Sequence, residues 1–146
     1  MEDDAELKND LLYKKAIALT KNHDFDEAIE CCNDMIVNDA GDVDAWDIKA
    51  ICYFAKNNFS QAISCLEKVI ELDPNDELAE ACKNNCLNIM QNDEMVETLK
   101  NLENLFKTGI LTLEEYQGLR KLAFNEFYGY FLSNSCFISS SLESKL

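Results

Sequence analysis

The 146-residue sequence has few of the residues that break or bend helices, with four glycines and one proline. All-β chains need many tight turns, which these residues supply, so their scarcity favours an all-α fold. Basic residues are also few: 13 Lys and Arg stand against 28 Asp and Glu, for a net charge of -15. A surface that binds nucleic acid or an anionic membrane needs clustered Lys and Arg. The composition therefore argues against both kinds of partner.

No segment approaches the roughly 18 uninterrupted apolar residues of a membrane-spanning helix. The first six residues are acidic and polar, unlike a secretory signal, which begins with basic residues followed by an apolar run. We therefore expect a cytoplasmic protein. The seven cysteines include no Cys-x-x-Cys pair. In a reducing compartment we expect them to pack as small buried residues; a metal carrier using Cys82, Cys86 and Cys136 is the less favoured alternative.

Catalytic patterns are missing as well. The sequence contains neither a Gly-rich phosphate loop nor a Gly-x-Ser-x-Gly elbow. The single histidine, His23, falls in a predicted turn beside Asn22 and Asp24. The many carboxylates are patterned as solvated helix faces. We therefore predict that the protein is not an enzyme and uses no cofactor or metal.

The sequence repeats itself after 34 residues, with segments 9–42 and 43–76 aligned. A period of this length is typical of stacked helical hairpins. The matching residues are Ala16 and Ala50, Phe25 and Phe59, Ala28 and Ala62, Ile29 and Ile63, Cys31 and Cys65, Ile36 and Ile70, and Asp39 and Asp73. Small residues at these spacings let two helices approach closely, and larger ones fill the space between neighbouring pairs.

The second segment resembles a tetratricopeptide repeat (TPR). The resemblance is carried by Trp46, Ala50, Tyr53, Ala62, Leu66 and Pro74, whereas Lys49 stands where that family usually has Leu. In the first segment Leu12 replaces the Trp, and Ala40 and Gly41 replace the Pro. The resemblance implies two antiparallel helix pairs. We expect these pairs and a capping helix to form one domain over residues 8–92.

The resemblance also implies that the first helix of each pair lines a concave groove, which binds a peptide or helix of a partner protein. The groove positions are Tyr13, Ile17, Thr20, Asp44, Asp47, Ile51, Phe54, Ala81, Asn85 and Asn88. The family's clamp for a C-terminal carboxylate is absent, since its slots hold Tyr13, Ile17, Ile48, Leu78 and Cys82. The net charge favours a basic or amphipathic helix as the ligand. Alternatively, the protein's own C-terminal helix fills the groove.

Residues 99–146 differ from the rest, because they hold five basic and five acidic residues. Gly109 is suited to end one helix, and Thr112 and Glu115 form a capping box for the next. These signals predict a helical hairpin over residues 94–132, followed by a flexible tail at 133–146. Leu102 and Leu105, followed by Gly109–Thr112 and Glu114–Tyr116, resemble the short C-terminal helical-hairpin family called SHOCT over roughly residues 99–124, which implies a role in oligomerisation.

The aromatic residues in the last part of the hairpin leave three possibilities open. They can pack back on the repeats, form a self-association surface, or dock another protein. The candidates for self-association are Phe124, Phe127, Tyr128 and Phe131. The sequence thus predicts a non-enzymatic protein-binding module, with a scaffold that assembles through its C-terminal hairpin as the alternative.

Overall fold

A computed structural model of the chain describes residues 2–128, which form seven helices and no strand. The helices are α1 (Glu2–Lys21), α2 (Phe25–Asn38), α3 (Val43–Ala55), α4 (Phe59–Leu72), α5 (Glu77–Gln91), α6 (Asp93–Lys107) and α7 (Leu113–Tyr128). The predicted all-α fold is confirmed. None of these helices is long and apolar enough to cross a membrane. Phe131 and the predicted tail at 133–146 lie outside the described residues.

The chain divides into two compact units, one ending at Lys83 and the other beginning at Asn84, so the division falls within α5. In the first unit, α1 packs against α2 and α3 packs against α4. Helix α2 also packs against α3, and α1 reaches α3. These are the two stacked helix pairs that the 34-residue period predicts.

The two pairs repeat the same backbone turn between their helices. His23 and Asn57, which are 34 positions apart, both adopt a left-handed conformation, with φ of 64° and 61°. The His23 amide donates to the Thr20 carbonyl at 3.1 Å, and the Asn57 amide donates to the Phe54 carbonyl at 3.0 Å. Each turn therefore ends its helix by the left-handed cap that glycine usually provides.

The turns that leave each pair also match. The amide of Asp39 donates to the Met35 carbonyl at 2.8 Å, and the amide of Asp73 donates to the Val69 carbonyl at 2.7 Å. The next helix then begins at an aspartate cap. Asp42 accepts from the Ala45 amide at 3.3 Å, and Asp76 accepts from the Ala79 amide at 3.0 Å.

Close helix approach in the first unit rests on four alanines without any exposed surface: Ala16, Ala28, Ala50 and Ala62. Larger side chains complete the core, and those that are almost fully buried include Met35, Ile48, Leu66 and Val69. A small residue at a helix crossing lets the backbones approach, because a larger side chain there would have to displace its neighbours. The small-residue positions predicted from the repeat are confirmed.

In the second unit, α6 packs against α7. Gly109 ends α6 with φ of 80°. The turn closes when the Ile110 amide donates to the Leu105 carbonyl at 3.0 Å. The predicted capping box is present: the Glu115 amide donates to Thr112 Oγ1, and the Thr112 amide donates to Glu115 Oε1, each at 3.1 Å. The SHOCT resemblance itself stays a prediction.

Candidate functional site

The predicted groove positions on α1 and α3 lie in the first unit. On α3, Asp44, Asp47, Ile51 and Phe54 share one face, because they recur at steps of three and four residues. The two aspartates are half-buried, whereas Ile51 and Phe54 are buried. The face therefore has a carboxylate end at the start of α3 and an apolar end toward its C-terminus.

Helix α1 contributes Tyr13, Ile17 and Thr20. Tyr13 is half-buried, and Ile17 and Thr20 are only 6% and 7% exposed. The Thr20 hydroxyl donates to the Ala16 carbonyl at 2.8 Å and lies 3.5 Å from Cys52 Sγ. Thr20 is therefore satisfied within the core of the first unit, and the residue with accessible surface on this side of α1 is Tyr13.

Phe54 packs within its own helix pair. Its ring meets that of Phe59 edge-on, with 5.5 Å between the ring centroids. Such pairs contribute about 0.5–1.5 kcal/mol beyond the area they bury. Phe54 therefore stabilises the packing of α3 against α4 and lies beneath the accessible part of the face.

Residues 1–83 hold 8 basic and 20 acidic residues, so this unit carries -12 of the net charge of -15. Helix α2 contains no basic residue between Phe25 and Asn38. The α3 carboxylates thus belong to a unit that is acidic throughout. A unit of this charge attracts cationic segments over a range of about 10 Å at 0.1 M salt.

Lys49 is the one basic residue of α3 itself. Its Nζ lies 5.2 Å from the centroid of the Trp46 ring, a cation–π arrangement. Burial raises the pKa of the Cys65 thiol, and the positive charge of Lys49 offsets a smaller part of that rise. Lys49 stands where the family usually has Leu, and its ammonium group contacts the face of the Trp46 ring.

Six cysteines lie in the described part of the chain, and all six are buried free thiols. Burial raises the pKa of Cys52 and Cys65 to about 11 and that of Cys86 to about 12. It also raises the pKa of Cys32, where the nearby Cys52 adds to the effect. These thiols are therefore protonated at neutral pH and behave as small apolar side chains, as expected. Between residues 2 and 128, no cluster of His, Cys, Asp or Glu is placed to hold a metal.

The remaining groove positions lie on α5. Ala81, in the first unit, is half-buried. In the second unit Asn88 is exposed, but Asn85 is buried, and its Nδ2 finds no hydrogen-bond acceptor. Asn85 thus departs from the solvated face expected for a capping helix. No pattern in the sequence distinguishes it from its neighbours Asn84 and Asn88.

The predicted self-association residues divide between two environments. Phe124 is only 2% exposed, and the Arg120 guanidinium lies 4.7 Å from its ring centroid. Phe127 and Tyr128 belong to the last turn of α7. The described part of this unit also has exposed apolar side chains, and those of Ile110 and Leu122, at 69% and 62%, are the most exposed, with Leu119 at 40%.

In a comparison with protein families, the model described as "Tetratricopeptide repeat" matches residues 15–85. That range includes both helix pairs from the middle of α1 onward, and it ends within α5. The resemblance read from Trp46 to Pro74 is therefore confirmed for this part of the chain. No curated protein matches the sequence.

Proposed function

Because residues 15–85 form a tetratricopeptide-repeat region, we propose that the protein binds a segment of another protein along the face shared by α1 and α3. Tetratricopeptide repeats are in general non-enzymatic scaffolds for protein–protein interaction. Tyr13, Asp44 and Asp47 form the accessible part of this face, with Ile17, Thr20, Ile51 and Phe54 beneath. We refer to Tyr13, Asp44 and Asp47 as the binding rim.

One observation carries the proposal: two half-buried carboxylates, Asp44 and Asp47, lie on the same face of α3 as the apolar Ile51. A half-buried carboxylate binds a cation more strongly than a fully solvated one, because water screens it less. The half-buried Tyr13 of the rim receives the aliphatic part of the same ligand, because Ile51 itself is only 8% exposed. This combination suits an amphipathic helix that carries Lys or Arg along one edge.

The ligand class follows from charge and from the missing clamp. The clamp slots for a carboxylate hold Tyr13 and Ile17 on α1 instead of basic or amide side chains. With 20 acidic residues in the first 83, an anionic ligand would meet repulsion on approach. Ala81, on the part of α5 that belongs to the first unit, stays a candidate for extending the site, and the roles predicted for Asn85 and Asn88 stay predictions.

A fluorescein-labelled amphipathic peptide of leucine and lysine, about 14 residues long, is a suitable probe. We expect it to bind the full chain, and to lose about tenfold or more in affinity for Asp44→Lys with Asp47→Lys at about 50 mM salt. Fluorescence anisotropy measures both affinities. Phe54→Ala is unsuitable as a first variant, because Phe54 supports the α3–α4 packing.

A matched control separates local binding from overall charge. Glu30→Lys with Asp34→Lys changes the net charge by the same amount on the exposed side of α2. We expect this control to weaken binding by less than about threefold. Equal losses in the two variants would mean that the peptide is held by the charge of the whole unit, and the rim proposal would then be wrong.

The exposed leucines of α7 favour a second candidate, a scaffold that assembles through its C-terminal hairpin. Ile110, Leu119 and Leu122 all lie at the surface of the second unit. Leu119→Glu with Leu122→Glu should then convert an oligomer to a monomer, measured as mass by light scattering. An unchanged mass in a folded variant would exclude these leucines as the interface.

A further inference from the structure

Helix α1 has a regularly spaced set of side chains on the side opposite its buried face. The helix buries Ala16, Ile17 and Thr20, which lie on one side at about 3.6 residues per turn. The positions on the opposite side recur at alternating steps of three and four residues. They are Asp4, Leu7, Leu11, Lys14 and Ala18, and all are exposed. We call these five residues the outer stripe.

The centre of the outer stripe is apolar. Leu7 is 59% exposed and Leu11 is 61% exposed. The terminal face of a repeat stack is normally polar, because its outer side stays in water. Two leucines at this spacing instead form the kind of seam by which a second helix packs. The outer stripe therefore has the pattern of a helix–helix contact.

Most acidic residues of α1 lie near its start and most of its lysines lie after Tyr13, whereas Lys8 and Asp10 lie between them. Asp3 and Asp4 are in the first turn, whereas Lys14 and Lys15 lie about three turns later and are exposed. A second α1 running antiparallel brings the acidic end of each helix beside the basic stretch of the other. A parallel partner would instead place acid beside acid and base beside base. The helix is thus complementary in charge to an antiparallel copy of itself.

We propose that two copies of this chain associate through their outer stripes as an antiparallel pair of α1 helices. A two-fold axis near Asn9 places Leu7 of each copy against Leu11 of the other. It also places Asp4 of each copy beside the Lys14–Lys15 stretch of the other. Both copies then use the same patch, as a closed two-fold interface requires. Because one helix pair covers less area than a standard interface, the dimer is weak and depends on concentration.

Sedimentation equilibrium of the full chain, from about 5 to about 500 μM at low salt, tests the proposal. We expect a reversible monomer–dimer equilibrium. Leu7→Glu with Leu11→Glu should weaken it by about a hundredfold or more, because burying a carboxylate in an apolar seam is costly. The helicity of this variant, measured by circular dichroism, should not change, since both side chains face water in the monomer.

Val37→Glu with Leu72→Glu is the matched control, because it also places two glutamates on exposed apolar positions of the first unit, outside α1. This control should keep the dimer. A chain that is monomeric at every concentration overturns the proposal, whether the outer stripe is covered by residues 129–146 or serves a different protein. Loss of the dimer in Leu119→Glu with Leu122→Glu alone overturns it too, because the copies would then meet through the hairpin.

Charge exchange gives an independent test that does not depend on the leucines. Asp3→Lys with Asp4→Lys makes both regions basic, and Lys14→Glu with Lys15→Glu makes both acidic. Each variant alone should dimerise about tenfold or more weakly at low salt, because like charges then face each other. An equimolar mixture should recover the dimer. In a mixed pair, the acidic residues of one variant lie beside the basic residues of the other. A mixture that stays monomeric while the unaltered chain dimerises excludes the antiparallel arrangement.

Discussion

Asn9 on α1 donates a hydrogen bond from Nδ2 to Asp42 Oδ2 at 3.1 Å. The same Nδ2 lies 3.2 Å from the Met35 carbonyl, and Asn38 Nδ2 donates to Asn9 Oδ1 at 3.0 Å. One asparagine therefore connects α1, the end of α2 and the cap of α3. These bonds link the first helix pair to the start of the second pair.

Asn9→Ala should lower the free energy of unfolding by about 1–2 kcal/mol, because it removes the donor that faces a half-buried carboxylate and a backbone carbonyl. Asn33→Ala on α2 is the control, since Asn33 is exposed. We expect the control to change stability by less than about 0.5 kcal/mol. Urea unfolding followed by circular dichroism measures both. Equal effects would show that the Asn9 bonds contribute nothing to the stacking.

Asp42 gives the stability a defined pH dependence. Burial raises the pKa of this carboxyl, although the bonds from the Ala45 amide and Asn9 lower it in part. The folded chain therefore holds the Asp42 proton more tightly than the unfolded chain, whose Asp pKa is about 3.9. The contribution of Asp42 to the free energy of unfolding thus increases as the pH falls through the raised pKa toward that value.

Asp42→Asn keeps a capping side chain and removes the titration. Relative to this variant, the unaltered chain should gain stability on acidification from pH 7 to pH 4. Urea midpoints of the two proteins at four pH values give the difference directly. Other carboxylates titrate equally in both proteins and cancel. A relative loss of stability on acidification would mean that the carboxylate form of Asp42 is favoured by folding.

The two left-handed turns predict stabilising substitutions. His23 and Asn57 have positive φ, which costs an L-residue roughly 1 kcal/mol and costs glycine nothing. Histidine tolerates this conformation less well than asparagine does. We therefore expect His23→Gly to raise the thermal midpoint more than Asn57→Gly. A lower midpoint for His23→Gly would show that the edge contact of His23 with Phe25 outweighs the backbone strain.

In the hairpin of the second unit, replacing each of two glycines by alanine should change stability in opposite directions. Gly109 has φ of 80°, whereas Gly118 lies within α7, and a Cβ at either would meet open space. Gly109→Ala should destabilise by about 1 kcal/mol through backbone strain alone. Gly118→Ala should stabilise by about 0.5–1 kcal/mol, because alanine favours the helix. Effects of the same sign would contradict the assignment of Gly109 as the helix cap.

Local signals explain which parts of the fold could be predicted. The aspartates at 39, 42, 73 and 76, the alanines, and the Thr112–Glu115 box act within a few residues, so their spacing shows in the sequence. The left-handed turn at His23 carries no glycine, and the burial of Asn85 depends on distant contacts, so neither has a local pattern. Leu7 could not be predicted as part of the outer stripe because α1 begins seven residues before the 9–42 segment, and Leu11 alone does not make a stripe.

The buried thiols predict slow alkylation. Thiolate is the reactive form, and with a pKa of about 11 only about a thousandth of Cys52 or Cys65 is thiolate at pH 8. An ordinary cysteine of pKa about 8.5 is roughly one quarter thiolate there. In a Cys136→Ser background, iodoacetamide should therefore modify these two cysteines about a hundredfold or more slowly in the folded chain than in guanidinium. Peptide mass spectrometry gives the rate at each position.

Between pH 8 and 10 the alkylation rate of the native chain should rise about tenfold per pH unit, since the thiolate fraction does. A native rate equal to the denatured rate would show that these thiols are as accessible and as ionised in the native chain as in the denatured one, and their burial would then be contradicted.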